Sequence, residues 1–152
     1  MTCRNTVFAK QTLRWSLLRW AAVLYGLGTL LHTLDHFRRG TDAVTSQVLW
    51  AGSLSTPVVI VVIFLAVVGF RYAPILAVAV GLPHAVGITA VHLAPHWGVL
   101  SDSLTSNGAS GITYAAVLVE IIGALAFAAA GAYILLAERK IANPHPTLLH
   151  GN

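Results

Sequence analysis

Charge is what this chain has least of. Only 9% of its 152 residues are Asp, Glu, Lys or Arg, against roughly 25% in ordinary soluble domains. So few charges cannot cover a surface that faces water on every side. Cysteine is as scarce. Cys3 is the single one, which excludes an intramolecular disulfide and any Cys-x-x-Cys site. No lipobox-like run precedes it. HExxH, a phosphate-binding glycine loop and GxSxG are absent as well, and with them the zinc-protease, nucleotide and serine-hydrolase readings those motifs carry.

Hydrophobic residues fill the chain instead, at 57%. They fall into four runs, at about 17–35, 49–70, 73–93 and 112–137. Each is long enough to cross a bilayer, which takes about 20 mostly apolar residues at a rise of about 1.5 Å each. The run at 17–35 follows a basic segment, as a signal peptide would. It ends in His-Thr-Leu-Asp-His with no small-x-small cleavage pattern, so it reads as a span. The links between runs are short, which makes sequential neighbours antiparallel. The sequence therefore predicts an all-α, integral membrane four-helix bundle running up-down-up-down. It forms a single membrane domain over 1–152, with an N-terminal segment 1–16 and a flexible C-terminal tail 138–152. No internal repeat or soluble domain is visible.

The net charge of +4 comes from basic residues clustered at span ends. That placement suits topology determinants and lipid headgroups, and it excludes a nucleic-acid face. Arg4, Lys10, Arg14, Arg19, Arg71, Arg139 and Lys140 fall on one side of a four-span chain, and Arg38 and Arg39 on the other. The positive-inside rule then puts both termini in the cytoplasm of a plasma membrane. The preference for Arg over Lys, with abundant Ala and Val, suggests a GC-rich bacterial genome and hence a bacterial inner membrane. Arg38-Arg39-Gly40 suits an anionic headgroup or substrate, and more often such a pair is an interfacial anchor.

Against this background the polar residues stand out, because ionisable groups in a bilayer are costly and mark function. They are His32, Asp35, His36, His84, His92 and Glu120, with His96 and Asp102 just outside the spans. The predicted chain directions bring His32, His36, His92 and Glu120 to similar depth in the outer half. His84 lies about 12 Å below His92 at helical rise. His32 and His36 are four apart and share a helix face. Pro83 removes a helical hydrogen bond beside His84 and frees the carbonyl of Ala79, either shaping a cavity or serving as an ordinary transmembrane proline.

Nitrogen and carboxylate together suit Zn(II) or non-haem Fe. The sharpest reading is a metal site of His32, His36 and His92, with Asp35 or Glu120 as carboxylate ligand or as the group that orients a ligand histidine. Haem is a variant, with His84 or His92 facing His32 or His36 as axial ligands. Two other classes stay open. One is a non-enzymatic accessory subunit with Glu120 as an interhelical hydrogen-bond partner. The other is a proton or ion path within a larger transporter. The partners implied are lipid, a second copy or a membrane protein, and no nucleic acid.

Overall fold

The computed structural model describes residues 2–40, 44–105 and 108–142; of 2–10 and 141–142 it describes the backbone only. Among the described residues all regular structure is helical: α1 (Thr2–Arg39), α2 (Ser46–Val67), α3 (Ala73–Ile88) and α4 (Gly111–Ala142). A π-helical turn, Thr89–Leu93, continues α3. Four stretches are long and apolar enough to span a membrane: Gln11–Arg39, Ser46–Val67, Ala73–Leu93 and Gly111–Lys140. The outer two exceed the hydropathy runs, because basic residues hide helix from a hydropathy reading. Arg14 lies over the ring of Tyr133, 5.5 Å from its centre. Helix also continues through Glu138, Arg139 and Lys140, where the sequence suggested a tail; 143–152, with His145 and His150, lies outside the described residues.

The helices form a ring in which each packs on its neighbours in sequence and α4 packs on α1. The pairings run antiparallel. Gly28 meets Glu120 and Tyr25 meets Gly123 between α1 and α4, while Gly81 meets Ala124 and Pro74 meets Gly131 between α3 and α4. Glycine is required where backbones come this close. A Cβ on Gly28 would lie 2.5 Å from the Glu120 Cα, and one on Gly123 would lie 2.7 Å from the Tyr25 Cα. Small residues allow such approach between transmembrane helices.

α4 is the central helix and α2 the peripheral one, with 44% and 17% of their apolar windows buried. Leu54, Val58, Ile60, Val61 and Phe64 of α2 all point outward. Water would make such a face a liability, whereas lipid makes it ordinary. The buried core is Leu18, Ala22, Tyr25, Val59, Ala77, Ala124, Phe127 and their neighbours, set toward the termini. The end away from the termini holds a second, smaller apolar cluster of Ile88, Leu104, Val117 and Ile121 beside the buried polar groups.

Candidate metal centre

The polar end begins with the way α3 stops. Its last turn widens, and the Ala94 N–H reaches back five residues to the Thr89 carbonyl at 3.2 Å. Such π turns are rare and recur at functional sites. The final carbonyls of a helix lack partners within it. Here the following loop supplies them: Asp102 N–H donates to Val91 O at 3.0 Å, and Leu104 N–H to His92 O at 2.9 Å. The loop is thereby folded over the bundle end, with Ser101, Asp102, Ser103 and Leu104 buried.

His32 and His92 are buried and His36 half-buried. Their rings pack together, with centroids 4.7 Å apart for His32–His36, 4.7 Å for His32–His92 and 5.7 Å for His36–His92. One ring nitrogen from each lies within 4.8 Å of the others. Tetrahedral ligands at about 2.0–2.1 Å from a metal sit roughly 3.3 Å apart. A shift of about an ångström would close the set on one ion.

The neighbours assign the protons. Glu120 Oε2 accepts from Nδ1–H of His32, which in the neutral ring leaves Nε2 with its lone pair. That Nε2 is buried and has no hydrogen-bond partner among the described residues. Nδ1 of His92 faces two acceptors of Asp102, the carbonyl oxygen at 3.3 Å and Oδ2 at 3.3 Å, so its Nε2 is likewise the basic nitrogen. His36 differs. Its Nδ1 accepts from Arg39 Nη2 at 3.1 Å, which puts the proton on Nε2. His36 must give up either that contact or that proton to become a ligand.

Glu120 is buried at the junction of three helices. It accepts from Thr29 Oγ1 at 2.9 Å and lies 3.2 Å from His84 Nε2, as well as holding His32. Its place is behind His32, the position from which a carboxylate fixes the tautomer of an imidazole and raises its basicity. His84 is thus turned onto Glu120 at the edge of the group. Asp35 is directed elsewhere. Its Oδ1 takes Arg38 at 2.8 and 2.9 Å, and its Oδ2 lies 3.2 Å from Arg39 Nε. It anchors the two arginines rather than joining the three rings.

Arg39 and Asp102 are neighbours of the three rings that the sequence reading notes but leaves out of the site. Arg39 is mostly buried, and its Nη2 lies 2.8 Å from Asp102 Oδ2. Burial alone would raise the Asp102 carboxyl, but hydrogen bonds from His92 and Arg39, with the charge of Arg39, hold it well below the usual carboxylate range. The available signal was an arginine one turn past Asp35, facing a loop that carries a lone acid. His96 is exposed and outside the group.

A cavity of about 410 Å³ adjoins the three rings. His84 and Glu120 also line it, and its remaining walls are mostly apolar. Comparison with protein-family models, with curated proteins and with solved structures returned no match.

Proposed function

We propose that this chain is a multipass membrane protein that binds one transition-metal ion, Zn(II) or Fe(II), through His32, His36 and His92. The observation that carries this reading is the unpartnered, buried Nε2 of His32. A buried polar atom left without a partner costs about 1–3 kcal/mol. Here Glu120 fixes the tautomer that leaves this nitrogen basic, in a ring packed against two further imidazoles. Three neutral nitrogens suit Zn(II) or Fe(II), and a three-histidine set leaves a position for a further ligand. Glu120 and Asp102 would act from behind the ligands, each on a different histidine.

Haem fits less well. A bis-histidine haem would need two imidazoles on facing helices with room for a flat macrocycle between them. The three rings instead lie against one another, and His84 is held by Glu120. The accessory-subunit reading accounts for Glu120 as an interhelical tie but leaves the His32 nitrogen unexplained. The basic-residue asymmetry supports cytoplasmic termini, a plasma-membrane location and a site in the outer half of the bilayer.

Metal analysis of the detergent-solubilised protein tests the reading. About one ion per chain is expected, lost in His32→Ala and His92→Ala while both variants stay folded by circular dichroism. Metal content and cobalt(II) binding unchanged in both variants would overturn it.

A further inference from the structure

The cavity beside the three rings is bounded by loop residue Leu100 toward the bundle end and by exposed helix residues at its flank. At the end, the loop after α3 is pinned at two points. Thr45 Oγ1 donates to Val99 O at 2.5 Å, and Arg39 holds Asp102. Leu100 of the same loop forms part of the cavity wall. At the flank, α2 contributes Ala51 and Gly52, and α3 contributes Pro83 and Gly87, all four exposed. A Cβ added at Gly52 or Gly87 would meet nothing within 4 Å. The gap between these helices is therefore unfilled by the described residues, in a stretch of helix whose outward neighbours Leu54, Leu82 and Val86 are apolar and exposed.

We propose that this cavity takes a neutral lipophilic molecule with a single hydroxyl or carbonyl oxygen, entering from the bilayer between α2 and α3. The oxygen would lie at the histidine end and the apolar body along the Gly52–Gly87 gap. The placement of the oxygen rests on the metal reading above, through the ion's remaining position. The volume lies within the roughly 300–1,000 Å³ of small-molecule sites, which pair apolar walls with a few convergent polar groups. The Glu120 carboxylate on the same wall disfavours an anionic head and accepts from a hydroxyl. The source is lipid because the open side faces lipid and the capped side faces water.

The test uses the full chain in lipid nanodiscs with a photoreactive diazirine-bearing long-chain alcohol, unlabelled 1-dodecanol as competitor, and peptide mapping of the adducts. Adducts are expected on residues 48–55 and 83–92, competed by dodecanol. Gly52→Leu and Gly87→Leu should each lower them about tenfold, a loss of about 1.4 kcal/mol in binding. Both variants add side chains into open space, and circular dichroism and thermal unfolding in detergent report that each remains intact. Adducts confined to lipid-facing residues such as Ile60 and Phe64, or cavity adducts unchanged in both leucine variants, would overturn the proposal. Competed cavity adducts in a protein that binds no cobalt(II) would support the cavity and strike the metal reading alone.

Discussion

Glu120 on α4 and His32 on α1 are 88 positions apart in sequence, yet their buried side chains share a hydrogen bond. One turn below, the α1 and α4 backbones meet at Gly28, where a Cβ would lie 2.5 Å from the Glu120 Cα. The helix crossing and the candidate site thus depend on the same contact.

Gly28→Ala is expected to weaken metal binding without altering any ligand. Its Cβ has no room, so α1 and α4 must part, and His32 moves away from Glu120. Overpacking of this kind typically costs about 1–3 kcal/mol. Thermal unfolding in detergent should fall together with cobalt(II) affinity, and a variant matching wild type in both would contradict the proposed coupling.

Glu120→Gln keeps the shape of the side chain but removes the charge that holds the proton on His32 Nδ1. Loss of an outer carboxylate of this type lowers metal affinity about 10–100-fold. Competition with a calibrated chelator measures it. The helical content should stay unchanged, since Thr29 and His84 can still bond the amide.

The three histidines should not be equal. His32 and His92 present a basic Nε2 set by carboxylate partners, whereas His36 accepts from Arg39. His36→Ala should therefore weaken binding less than His32→Ala or His92→Ala. His96→Ala, at an exposed position, should leave binding intact. Isothermal titration of the four variants ranks them directly.

Topology is open to cysteine labelling in a Cys3→Ser background. Thr105 and Glu138 are both exposed, near opposite ends of the bundle. Thr105→Cys should react with an impermeant maleimide from outside intact cells, and Glu138→Cys only after permeabilisation. The reverse pattern would invert the orientation drawn from the basic residues.

Composition and hydropathy were enough to establish four apolar helices, because the length and apolarity of a span are local properties of consecutive residues. The same local reading picked out His32, His36, His92 and Glu120, since ionisable residues in apolar runs are conspicuous wherever they point. What each does was not legible. Whether a carboxylate ligates, orients a histidine or holds an arginine depends on helix rotation and crossing. Those are set by close contacts at Gly28, Gly123 and Gly131, which bring together positions far apart in the chain. Hence only the tertiary structure separated Glu120, behind His32, from Asp35, turned to Arg38 and Arg39. Only it placed Asp102 beside His92, because that step needs a widened turn at the end of α3 and a loop folding back to satisfy its free carbonyls.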